Sequence, residues 1–133
     1  MTEVITKEQA EREITAWLDF KKVRPRQRAV FAAQYDTLVE AMQYGDIIMD
    51  GETFVIKHKL ITPVDGLIDS LEYQPRKTVG ELQKAANGVG ATDSDGRLNS
   101  ILSCITGRGL SHLQKMYPED FEICQAVAVF FTF

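Results

Sequence analysis

Few residues of this chain could do chemistry, and their spacing keeps them apart. The two histidines, His58 and His112, have no second His, Cys or carboxylate at a recognised metal-ligand spacing. Cys104 and Cys124 fall on apolar helical faces, where a thiol behaves as a small buried hydrophobe. The loop Ala91-Thr92-Asp93-Ser94-Asp95-Gly96 has part of a calcium-loop composition. Ala91 stands at the first ligand position and Leu102 at the twelfth, so the bidentate acid is missing. Gly88-Val89-Gly90 and Gly107-Arg108-Gly109 lack the strand, helix and third glycine of a dinucleotide site. No P-loop and no G-x-S-x-G occurs. Glu119 and Asp120 are adjacent carboxylates, but a helix start explains them without catalysis. The expectation is a protein that is not an enzyme and uses no metal or cofactor.

Residues suited to binding are easier to find. Lys21-Lys22-Val23-Arg24-Pro25-Arg26-Gln27-Arg28 holds five bases in eight residues, with Trp17 and Phe20 just before it. The run reads as a solvated turn, as a dock for an acidic protein partner, or as a nucleic-acid contact. Arg26 and Arg28 oppose the dipole of the helix they begin. The chain carries 15 Lys+Arg against 19 Asp+Glu, a net charge of −4, which makes nucleic acid the least favoured of the three. The second feature is Ala126-Val127-Ala128-Val129-Phe130-Phe131-Thr132-Phe133, which does not alternate as a surface helix should. It is either a last helix inserted in the core or an exposed apolar end that docks on a partner. The candidate partner-binding residues are therefore Trp17, Phe20, Lys21, Lys22, Arg24, Arg26, Arg28, Phe130, Phe131 and Phe133.

The elements that must position these residues follow from periodicity. Thr6 and Gln9 form a capping box before a helix whose apolar face is Ala10, Ile14, Trp17, Leu18 and the stem of Lys21. That helix stops before Pro25, which opens a second one running to Gly45. Asp46–Met49 and Glu52–Leu60, joined by Asp50-Gly51, read as a β-hairpin. Asp65-Gly66 turns the chain into a third strand, Leu67–Tyr73, and Pro63 caps the middle strand. Thr78 and Glu81 form another capping box, for a helix ending at Asn87-Gly88. Asp95 caps a helix reaching Thr106, and Gly107 ends it. A brief helix from Leu110 to Met116 precedes a last helix opened by Pro118-Glu119-Asp120. The fold class is α+β, with an N-terminal helical hairpin, a three-stranded antiparallel meander and about four C-terminal helices. The hairpin, residues 1–45, reads as an appendage to an α+β domain over 46–133.

Composition sets the outer limits. The chain has 133 residues, 44% of them apolar and 26% charged, which is ordinary for a globular domain and excludes collagen-like, disordered and coiled-coil classes. The longest apolar run is about half of a bilayer span. The N-terminus carries no signal-peptide pattern, and two Cys suit a reducing compartment. A cytoplasmic protein with no membrane partner is expected.

From Lys59 to Phe130 the motifs come in a distinctive order. Leu60-Ile61-Thr62-Pro63-Val64-Asp65-Gly66 leads to Leu67–Tyr73, then to Pro75-Arg76-Lys77-Thr78-Val79-Gly80-Glu81-Leu82. After a glycine-rich loop come Ile101-Leu102-Ser103-Cys104-Ile105-Thr106-Gly107 and then Leu113, Met116, Asp120, Phe121, Val127 and Phe130. This order resembles the tail assembly chaperones of contractile-tailed phages, the small Mu-like and P2-like proteins encoded before the tape measure protein. Lys77 interrupts the usual Pro-to-Thr spacing, Glu81 stands where Asp is usual, and the first 45 residues lie outside the pattern. The resemblance implies a non-enzymatic protein of the bacterial host cytoplasm. It would coat the helical tape measure protein, or another tail protein, hold it soluble during tail assembly, and self-associate as a homo-oligomer. Many such chaperones are made in two lengths through a translational frameshift. Two other readings remain: a structural virion protein such as a tail terminator or connector, and a small nucleic-acid-binding regulator using the basic turn.

Overall fold

Thr6 starts the first helix, its hydroxyl accepting from the Gln9 N–H at 3.1 Å, and α1 runs Lys7–Phe20. The other arm of the expected capping box is diverted, because the Gln9 side-chain oxygen accepts from Arg12 at 2.6 Å. The computed structural model describes residues 2–64, 68–90 and 92–131. Helix α1 ends in an αL cap. Lys22 has φ +61, and the Val23 N–H reaches back to the Leu18 carbonyl at 3.0 Å.

The single helix expected from Pro25 to Gly45 is two helices, α2 (Pro25–Val30) and α3 (Ala32–Gln43). The break falls at Phe31, which leaves the helical basin (φ −106, ψ 33) and sets its ring edge-on to Phe130, centroids 5.8 Å apart. Gly45, with φ +81, follows the C-cap of α3, and a Cβ there would lie 2.9 Å from the Val4 side chain.

Three antiparallel strands follow in the order β1 (Ile47–Met49), β2 (Ile56–Val64) and β3 (Ile68–Tyr73). Ile47 pairs with His58, Ile56 with Tyr73, and His58 with Leu71. The first connection is longer than a two-residue Asp-Gly turn. The Asp50 carboxylate accepts from the N–H groups of Glu52 and Thr53, and Asp50 N–H bonds Val55 C=O. Gly51 lacks the positive φ that a type I′ turn requires, whereas Phe54 has φ +59. Pro63 lies inside β2 rather than at its end, within a register shift between Lys59 and Val64, where a missing N–H is tolerated. The expected Asp65-Gly66 turn lies outside the described residues.

The capping box of Thr78 and Glu81 is complete and opens α4 (Val79–Ala85). Asp93, not Asp95, caps α5 (Ser94–Thr106), because its carboxylate accepts from Gly96 N–H at 2.9 Å. Gly107, at φ +68, ends α5. Helix α6 is one turn, Leu110–Leu113, and α7 runs Pro118–Ala128 into a 3₁₀ turn, Val129–Phe131. The fold is α+β.

Helix α7 explains the non-alternating tail. Ile123, Cys124, Ala126, Val127 and Ala128 are all buried, as suits a helix enclosed by other elements. Ala10, Ile14, Trp17 and Leu18 of α1 belong to the same core cluster as Leu38 of α3, Ile56 of β2, Leu102 of α5 and Val127 of α7. The first 45 residues thus bury their apolar faces against the remainder of the chain. Among the described residues, no helix is long and apolar enough to cross a membrane.

Candidate partner-binding surfaces

The candidate residues divide sharply by environment. Trp17, Phe130 and Phe131 are in the core, with Trp17 edge-on to Phe130 at 5.9 Å, so Trp17 and Phe130 offer no free face to a partner. Phe133 lies outside the described residues. Phe20 is 39% exposed and stacks on Phe54, centroids 4.5 Å apart and planes 11° apart.

The basic run splits in two. Lys21 and Arg28 hold the fold together. Lys21 Nζ donates to the Pro75 carbonyl at 2.8 Å and sits 3.2 Å from the Phe131 ring centroid. Burial, and then Arg76, push Lys21 down to about 7, while the Phe131 π-face and the Pro75 oxygen favour the charged form. Arg28 pairs with Asp19 at 2.7 Å and caps the Val23 carbonyl at 2.9 Å. Lys22, Arg24 and Arg26 are exposed, and none has an ion pair among the described residues.

A groove opens between α4 and α5, enclosing about 570 Å³. Val79, Leu82, Ala86, Val89, Leu98 and Ile101 form its walls, with Phe131 also lining it, and Arg97 is its one charged residue among those described. Val79 is 50% exposed. Glu81 caps α4 and Asp93 caps α5, so local hydrogen bonds set the two walls. Pro75, held by Lys21, lies three residues before the α4 cap, which ties the basic turn to this groove. Sequence reasoning missed the groove because its residues carry only an ordinary amphipathic pattern.

A buried polar cluster was also missed. His58 is 0% exposed, as is Asp120. His58 Nε2 lies 3.0 Å from Asp120 Oδ1, and Nδ1 lies 2.8 Å from the Tyr73 hydroxyl, which lies 2.9 Å from Cys124 Sγ. Asp120 also accepts from Ile61 N–H at 2.8 Å and Thr62 N–H at 3.0 Å. Those two amides fall in the register shift of β2, so the carboxylate supplies partners where the β2–β3 ladder is irregular. One proton arrangement satisfies every group: the thiol donates to Tyr73, Tyr73 to Nδ1, and Nε2–H to Asp120.

A thiol, an imidazole and a carboxylate in line have the types of a nucleophile, base and acid. The surroundings oppose that use. The cluster is closed to solvent, and burial pushes the Cys124 thiol up to about 12. Burial also lowers His58, against the opposing pull of Asp120. The signal in the sequence was the alternation Ile56, His58, Leu60, which puts an imidazole on the core face of a strand.

No group of three or more candidate metal ligands occurs among the described residues. His112 Nδ1 and Trp17 Nε1 are buried without a hydrogen-bond partner there. The chain matches no family model, no curated protein and no solved structure.

Proposed function

We propose that the protein is a phage or prophage tail assembly chaperone, acting in the cytoplasm of the bacterial host, which holds a helical segment of the tape measure protein in the α4/α5 groove. The observation that carries this reading is the groove itself. Helices α4 and α5 present a concave apolar wall with polar side chains beside it, which is how an amphipathic helix is bound in water. The stretch of chain whose motif order resembles the chaperones, residues 59–130, contains both walls. Arg97, which lines the groove, suits a carboxylate on the edge of the bound helix. Binding of this kind keeps an otherwise exposed apolar stripe out of water and so prevents aggregation.

Co-expression tests it directly. Helical fragments of the tape measure protein should stay soluble beside the wild-type chain and precipitate beside Val79→Asp, which places a charge on an exposed groove position. Fragments that precipitate equally with and without the wild-type chain overturn the reading. Presence in purified virions at fixed stoichiometry would instead favour a structural tail component.

A further inference from the structure

Strain and unpaired charge meet at one corner of the molecule. Lys22 and Phe54 are the two non-glycine residues with left-handed backbone among those described. Side chains disfavour that conformation, so it persists only where something else fixes it. Phe54 stacks on Phe20, and Lys22 follows two residues after Phe20. Phe20, 39% exposed and stacked on the partly buried Phe54, is thus followed along the chain by the exposed Lys22, Arg24 and Arg26. Arg24 and Arg26 begin α2, where the helix dipole disfavours cations. Lys21 and Arg28 tie the turn down, and none of these three has an ion pair among the described residues.

The complement to this corner is on the same chain. A concavity of about 360 Å³ between α3 and α7 is lined by Asp36, Glu40, Asp46, Glu119 and Glu122, with Ile61 beside them and no Lys or Arg among the described residues. Ile61 is 42% exposed. No ion pair joins the two surfaces within one molecule among the described residues. The Asp46 carboxyl is raised by burial and by the nearby Asp120 and Glu40, a crowding that an incoming cation relieves.

We propose that the Phe20/Phe54 corner of one copy, with Lys22, Arg24 and Arg26, docks in the α3/α7 concavity of a second copy. The two surfaces match in sign, and each sets exposed apolar area beside its charges. They differ from one another, so the contact is head-to-tail and leaves one of each free at the ends, extending a row or closing a ring. This goes beyond the binding of a helix in the α4/α5 groove and uses none of its residues.

Sedimentation of the full chain tests the pairing. Wild type should assemble at low salt and dissociate as salt rises. Lys22→Glu/Arg24→Glu/Arg26→Glu and Asp36→Lys/Glu40→Lys/Glu122→Lys should each be monomeric under the same conditions, an affinity loss of at least about tenfold. An equal mixture of the two should regain assembly, because the reversed corner meets the reversed concavity. The milder Lys22→Gln/Arg24→Gln/Arg26→Gln variant should also be monomeric, and circular dichroism reports that it is folded. A monomeric wild type at low salt overturns the proposal, as does either reversed variant assembling normally or a mixture that stays monomeric. So does a corner that captures poly-glutamate or oligo-dT while its neutralisation leaves self-association intact.

Discussion

The His58 cluster and the Lys22 corner both gather polar and charged side chains, yet they are built in opposite ways. At His58 each polar atom has a partner within 3.0 Å and no atom meets solvent. At Lys22 three exposed cations have no ion pair among the described residues, and Lys22 itself stands in a left-handed turn. Residue type alone would rank them the other way, since Cys, His and Asp suggest chemistry and a basic turn suggests solvation. Accessibility and satisfaction decide otherwise. A buried group with all its hydrogen bonds made is spent on holding the fold, whereas an exposed group with none is available to something outside it.

The largest effect should come from the buried side of this contrast. Asp120→Ala removes the acceptor for His58 and for two β2 amides at once. Breaking a buried pair this way costs about 3–5 kcal/mol, a large share of a small domain's stability. The triple Gln variant of Lys22, Arg24 and Arg26 should change stability by less than about 0.5 kcal/mol. Urea denaturation followed by circular dichroism measures both. A triple variant less stable than Asp120→Ala would invert the comparison.

Legibility follows the same division. Where local chemistry decides, as at the Thr78/Glu81 box, Gly107 and Pro118, the residues predict the boundaries well. The break at Phe31 escaped because it depends on Phe130, about a hundred residues away along the chain, and no local pattern reports that contact. The turn after β1 escaped for a smaller reason. Asp50 bonds its own loop amides, which stabilises a longer connection than the Asp-Gly pair suggests. The basic run was visible as composition, but its split into two anchors and three free cations depends on Asp19, Pro75 and Phe131 arriving from elsewhere. The apolar tail could be read as core or as surface. Only the packing of α7 and the 3₁₀ turn after it shows Phe130 and Phe131 buried.

Acid should act on the buried cluster in a defined window. The folded His58 is held below its ordinary value of 6.5, first by burial. Below that pH the unfolded chain therefore takes up the proton before the folded one, and stability falls as pH drops from about 6.5. Lys21 contributes above this range. Its folded value of about 7 lies under the ordinary 10.5, so stability also falls as pH drops from 10.5 and levels off once Lys21 is charged in both states. Urea midpoints across pH should show both slopes, with His58→Gln flattening the acid one and Lys21→Met the alkaline one. A wild type that gains stability relative to His58→Gln between pH 6.5 and 5 would show that Asp120 outweighs burial in that cluster.

The smallest effect tests the exposed side. Lys22 sits at the position after the α1 C-cap, where glycine takes φ +61 freely. Lys22→Gly should stabilise the chain by roughly 1 kcal/mol, somewhat reduced by the greater freedom glycine adds to the unfolded state. The same change deletes one of the three free cations, so it should also weaken assembly at low salt. Lys22→Asn repeats the test with a side chain in place, since Asn also tolerates the left-handed turn and carries no charge. Stability and assembly moving in opposite directions for both variants would mean that the lysine is kept for its charge at the expense of its backbone. Variants that gain no stability would show that the αL cap is unstrained, and the corner would then differ from the His58 cluster in exposure alone.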